Sequence, residues 1–141
     1  LELIKTQNRT RVSIQPKVDC VTEICAMLKK MNLTEYAGFN DGDLSVLQKA
    51  VTLLPGAAVF YDLHNRQDTI AAIMAAKHYN FTGIVQVKRE VCREDVEMIA
   101  AAGLEPGAWT VNDPQEFTRM KSLGIKRFYT DCPKEFLRIN E

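Results

Sequence analysis

Short β-rich segments alternate with helical ones along the whole chain, and this rhythm constrains the fold more than any other feature. Residues 11–15 alternate polar and apolar side chains and are closed by Pro16, which predicts a strand. Residues 19–31 carry Val21, Ile24, Cys25 and Leu28 at helical spacing, with Asp19 placed to cap the helix. Residues 36–39 predict a short strand. Asp43 then caps a helix with Leu44, Leu47, Val51 and Leu54 on one stripe, ended by Pro55-Gly56. The rhythm continues with a strand at 57–61, an Ala-rich helix at 67–78, a strand at 83–87 and a helix at 93–102 ending at Gly103. A strand at 107–111, a helix opened by Asp113-Pro114 and ended by Gly124, a strand at 127–130 and a helical turn at 134–139 complete it.

Strands separated by helices imply right-handed crossovers and a parallel sheet covered by helices. Periodicity leaves two architectures open: a small doubly wound sheet, or part of a (β/α)8 barrel. No G-x-G-x-x-G follows the first strand and no G-x-x-x-x-G-K-[ST] occurs, which argues against dinucleotide and P-loop folds. The 141 residues are read as a single domain, 1–141. Eighteen Lys and Arg balance eighteen Asp and Glu, so a general nucleic-acid binder is not expected. Apolar runs fall short of the ~20 residues that a membrane helix needs. The opening Leu1-Glu2-Leu3-Ile4-Lys5 has no basic segment followed by an apolar one, and reads as a helix tail cut from a longer chain. Cys20, Cys25, Cys92 and Cys132 form no C-x-x-C pair and are read as free thiols. The compartment stays open.

Residues 107–113 read G-A-W-T-V-N-D and lead into a helix, then Leu123-Gly124-Ile125, then Tyr129-Thr130-Asp131-Cys132-Pro133. W-T-V-N, a helix, L-G-[VI] and T-D-x-P, in that order, resembles the C-terminal signature of the glycerophosphodiester phosphodiesterase family. Val12-Ser13-Ile14-Gln15-Pro16-Lys17 is similar to the family's strand reading N-I-E-x-K, and Tyr36-Ala37-Gly38-Phe39-Asn40 to its S-S-F-D strand. Residues 95–104, ending Ala-Ala-Gly-Leu, also resemble it, so the resemblance covers essentially the whole chain.

The resemblance implies a partial (β/α)8 barrel whose strands correspond to family strands three to eight. Family strands one and two, which would carry H-R-G, E-N-T, E-x-D and H-D, have no counterpart. A barrel norm of about 250 residues leaves about 100 unaccounted for. The implied activity is metal-dependent hydrolysis of glycerophosphodiesters to glycerol 3-phosphate and an alcohol, in lipid and glycerol metabolism. A divalent ion, Mg or Ca, would be held by carboxylates, and two histidines would do the acid–base work. His64 and His78 match neither catalytic position and are read as loop and helix-end residues. The 141-residue chain alone is therefore expected to be inactive, although the family is hydrolytic. A non-catalytic relative, used for ligand binding or assembly, is the alternative. A response-regulator-like module is disfavoured, because no acidic cluster follows the first strand.

Lys17 matches the family's strand-three lysine and would clamp the phosphate; otherwise it is a solvated lysine after Pro16. Gln15 stands where the family has a metal-binding glutamate, and an amide is a weaker donor for a hard cation. Gln15 and Lys17 share one face of the strand. Trp109 matches the Trp that stands over the glycerol moiety, with Gly107 and Val111 on its face and Ala108 and Thr110 toward the helices. Gln86 and Lys88, also two apart, are candidates to line the substrate site; the other reading is a solvated loop at Lys88. Six strands without the first two leave two open edges, so a homo-oligomer, or pairing with the missing N-terminal portion, is expected.

Overall fold

The computed structural model describes residues 1–6 and 10–139. A short helix α1 (Glu2–Lys5) precedes six strands: β1 (Val12–Ile14), β2 (Ala37–Asp41), β3 (Ala58–Leu63), β4 (Gly83–Val87), β5 (Glu105–Trp109) and β6 (Arg127–Phe128). Between them lie α2 (Val21–Lys30), α3 (Leu44–Leu53), α4 (Thr69–His78), α5 (Arg93–Ala101) and α6 (Pro114–Leu123), and α7 (Pro133–Ile139) follows β6. Two of the expected helix starts form as the sequence dictates. Asp43 Oδ1 accepts from the Ser45 amide at 2.8 Å and opens α3. Asp113 Oδ1 accepts from the amides of Gln115 at 2.8 Å and Glu116 at 2.9 Å, with Pro114 in the first turn of α6. Gly124 ends α6 at φ 100°, a left-handed position that suits glycine. Asp19 does not cap α2. Cys20 occupies the cap position without a side-chain bond, and Asp19 instead pairs with Lys49 at 2.8 Å.

All five strand pairings are parallel, and the sheet order is β1-β2-β3-β4-β5-β6. A doubly wound sheet reverses its strand order at a switch point. This one never does. The sheet also curls. The Arg127 guanidinium of β6 lies 3.6 Å from the centre of the Phe60 ring on β3. In a flat sheet, three strand spacings would separate those strands by about 14 Å. The result is a curled, parallel half-barrel with helices outside and an inner face that looks into a lumen. Two strand pairs, β4 with β5 and β2 with β3, approach to a distance that only glycine allows. A Cβ on Gly83 would lie 2.3 Å from the Glu105 carbonyl oxygen, and one on Gly38 would lie 2.7 Å from that of Ala58.

The outer face packs in two clusters. Val21, Cys25 and Leu28 of α2, Leu47 and Ala50 of α3, and Ala72 and Ala76 of α4 bury against Phe39, Val59 and Ile84. Phe117, Met120, Ile125 and Phe136 pack with Ala108 and Val111 at the other end, where Phe117 stacks on Phe136 at 4.4 Å. Helix α5 joins the two, with Ile99 in the first and Val96 in the second. All four cysteines are free. Among the described residues β1 pairs only with β2, and β6 only with β5.

Candidate functional site

Register decides which side chains see the lumen, because paired residues on parallel strands face the same way. Asp62 pairs with Val85, Val85 with Gly107, and Gly107 with Arg127, so these four share the inner face. One level away, Asn40 pairs with Phe60 and Phe60 with Gly83. The carboxyl ends of the strands then enclose a cavity of about 200 Å³, lined by Gln15, Asn40, Asp62, His64, Trp109, Thr110 and Tyr129. In parallel barrels this is the end where function concentrates.

A hydrogen-bond relay crosses the floor of the cavity. Ser13 Oγ donates to Asn40 Oδ1 at 2.9 Å, and Asn40 Nδ2 donates to Asp62 Oδ2 at 2.8 Å. Asp62 is only 6% exposed, and its second oxygen, Oδ1, is buried without a hydrogen-bond partner. Burial pushes its carboxyl up to about 6, against the pull of the Asn40 hydrogen bond. The Tyr129 hydroxyl is likewise buried without a well-formed hydrogen bond, although the Ser13 hydroxyl lies close enough to act on it. Burial, with the Asp62 charge nearby, pushes it up to about 12. The backbone of Tyr129 is pinned: its amide donates to the Ala108 carbonyl at 3.0 Å, and its carbonyl accepts from the Val111 amide at 2.9 Å.

Aromatic rings form the upper wall. The Trp109 indole N–H donates to the Val85 carbonyl at 3.2 Å, and the His64 ring meets the Trp109 ring edge-on at 4.9 Å. Gly42 leaves room for this histidine, since a Cβ there would lie 2.9 Å from His64 Nε2.

The expected site residues separate into two groups. Gln15 and Trp109 line the cavity, whereas Lys17 is outside its lining and borders a neighbouring cavity with Asp19 and Asp41, its ammonium donating to Gln15 Oε1 at 2.7 Å. Gln86 and Lys88 are elsewhere, which corrects the expected lining. Gln86 is 1% exposed on the helix side of β4, where its Nε2 donates to Asp95 Oδ2 at 3.0 Å. Val85 holds the inward position instead, because it is the residue in register with Asp62. Lys88 lies in a 3-10 turn (Lys88–Glu90) and pairs with Glu116 of α6 at 3.3 Å. A second correction concerns the residues after Trp109. Val111 is buried in the helix-side cluster and Thr110 lines the cavity, because β5 ends at Trp109 and strand alternation stops there.

Sequence reasoning missed Ser13, Asn40, Asp62 and Tyr129 as site residues, and gave His64 a loop role. The signal was present in β3. The inward alternation Phe60, Asp62, His64 runs on past the point at which the strand was expected to stop.

The divalent metal that the resemblance implies does not fit the donors among the described residues. No group of three His, Cys, Asp or Glu among the described residues could hold one. The Gln15 oxygen already faces an ammonium, and Asp62 is a lone carboxylate.

A curled parallel sheet with its helices outside and a polar cavity at the strand carboxyl ends defines a protein of the (β/α)-barrel class. Within that class, the chain belongs to the glycerophosphoryl diester phosphodiesterase family, whose model matches residues 4–135. Comparison with curated proteins gives no match. Solved structures agree on the fold. A glycerophosphodiester phosphodiesterase from Parabacteroides distasonis superposes with a TM-score of 0.81 at 20% identity, covering 98% of this chain and 60% of the other. An Oleispira antarctica phosphodiesterase, solved in complex with the product sn-glycerol-3-phosphate, superposes at 0.77 with 19% identity over 93% of this chain and 55% of its own. A glycerophosphodiester phosphodiesterase from Agrobacterium tumefaciens gives 0.71 at 14% identity, covering 92% and 56%. The chain thus spans well under two thirds of the length of these relatives.

Proposed function

We propose that residues 1–141 act as one unit that binds the glycerol-phosphate half of a glycerophosphodiester, and that they correspond to strands three to eight of the family barrel. One observation carries the reading: the polar cavity at the strand ends has an aromatic wall, Trp109 against His64, and a lysine bonded to Gln15 of its lining. An apolar ring face suits the carbon chain of glycerol. An ammonium suits a phosphate, and Lys17 is held beside the lining residue Gln15 rather than buried. The product bound to the Oleispira relative is of the same chemical class.

Hydrolysis asks for more than this. It needs a group to activate the nucleophile and an acid to protonate the leaving alkoxide. Asp62 is the cavity's buried carboxyl, and its raised pKa suits proton exchange near pH 6. His64 lines the same cavity and acts on the Asp62 charge, but its ring is set edge-on to Trp109. We therefore assign binding to this chain. Turnover belongs to a barrel that also contains the family's first two strands.

A single tryptophan makes the test direct. Titration of the chain with glycerol 3-phosphate is expected to change Trp109 fluorescence saturably, and Lys17→Ala is expected to weaken the response severalfold. A flat titration would remove the reading. The alternative, a relative used for assembly, is favoured by Gln15, whose amide replaces the expected carboxylate and is spent on Lys17. Self-association without any ligand response would select it.

A further inference from the structure

Two buried polar atoms in the cavity make no well-formed hydrogen bond, and they are of complementary kinds; the Ser13 hydroxyl beside Tyr129 gives its own hydrogen to Asn40. Asp62 Oδ1 is an acceptor, and the Tyr129 hydroxyl carries a donor hydrogen. Both line the same cavity. Folded proteins leave few buried polar atoms unpaired, and each one calls for an explanation. Neither is loosely held. Asn40 fixes Asp62 through Oδ2 and is itself fixed by Ser13, which leaves Oδ1 as the free oxygen. Backbone bonds to Ala108 and Val111 fix Tyr129.

We propose that Asp62 and Tyr129 form a hydroxyl-recognising pair: Asp62 Oδ1 accepts from a hydroxyl of the bound molecule, and the Tyr129 hydroxyl donates to an oxygen of the same polyol. The inference rests on the binding reading above and specifies which end of the ligand enters first. An alcohol is donor and acceptor at once, so it satisfies both orphan atoms. A phosphate suits them less, because it brings negative charge to a buried carboxylate. The anionic end therefore points outward, toward Lys17. The cavity of about 200 Å³ is several times the roughly 30 Å³ that one water occupies. A water could quench the same two atoms, and the test separates it from a ligand hydroxyl.

Calorimetric titration of the wild-type chain, Asp62→Asn and Tyr129→Phe with glycerol 3-phosphate and with inorganic phosphate tests the pair. Tyr129→Phe removes only the donor. Asp62→Asn keeps one oxygen for Asn40 and turns an NH2 toward the cavity, where an acceptor is needed. Each variant is expected to bind glycerol 3-phosphate about tenfold more weakly or worse. Affinity for inorganic phosphate is expected to stay within about twofold of wild type. The thermal midpoint of Tyr129→Phe is expected to hold or rise, since an unsatisfied buried hydroxyl is removed. Variants that keep wild-type affinity for glycerol 3-phosphate, or that lose both ligands equally, overturn the pair and leave the phosphate-binding reading standing. The first of these results means that the two atoms serve only water. A wild-type chain that binds neither ligand overturns both.

Discussion

Asp62 shows how a single residue couples the fold to the site. Its carboxyl rises from an ordinary 3.8 to about 6 because burial disfavours the charge more than Asn40 supports it. The folded chain thus holds this proton more tightly than the unfolded chain does. The favourable contribution is complete below about pH 4 and is lost as pH rises through about 6. The loss amounts to on the order of 3 kcal/mol. Asp62→Asn has no such proton to lose, so its stability relative to wild type is expected to climb between pH 4.5 and pH 7.5. Urea unfolding of both proteins at several pH values measures this, and a gap independent of pH would contradict it. At this scale the sequence is only partly legible. Trp109, Gln15 and Lys17 stand out by motif; Trp109 and Gln15 line the cavity, and Lys17 is bonded to Gln15 from outside that lining. Asp62 and Asn40 do not stand out, because each lies just beyond the apolar run that marks its strand, and nothing local says that the strand continues.

Elements are most legible where their ends are written in side chains. The α6 boundaries follow from Asp113, Pro114 and Gly124, and the structure places them there. Asp113→Ala removes the acceptor for two amide donors and is expected to cost about 1 kcal/mol, a drop of about 2–4 °C in Tm. Asp19→Ala, one residue outside the α2 cap position, is expected to cost less, because its partner Lys49 lies at the surface. Equal losses from the two substitutions, in thermal unfolding, would count against this view of capping. Strand faces are less legible. All five residues of β4 are buried, so no polar–apolar alternation marks which side is the lumen. The sequence pattern therefore points Gln86 to the lumen, whereas the strand turns it toward the helices. Its real partner, Asp95, also takes bonds from Arg66 at 3.2 Å and Thr69 at 3.1 Å, forming a polar knot between strand and helices.

For the whole molecule, the βα rhythm gives the parallel sheet but not its curl. A doubly wound sheet and a barrel segment have the same local pattern. The choice between them rests on the order in which strands pair, and the family motifs point to the right one before any contact is known. The same topology leaves the outer edges of β1 and β6 without strand partners among the described residues. Open edges recruit other strands. Light scattering of the purified chain is accordingly expected to give a mass above the 15.9 kDa of one copy, and a monodisperse monomer would show that the edges are protected some other way. The central claim is that the strand-end cavity holds a polyol phosphate with its hydroxyls inward. A crystal structure of the chain grown with glycerol 3-phosphate tests it most directly. The account predicts the carbon chain along Trp109, a hydroxyl within about 3 Å of Asp62 Oδ1 and the phosphate toward Lys17. A ligand bound phosphate-first against Asp62, or held on another surface with this cavity filled by water, would contradict it.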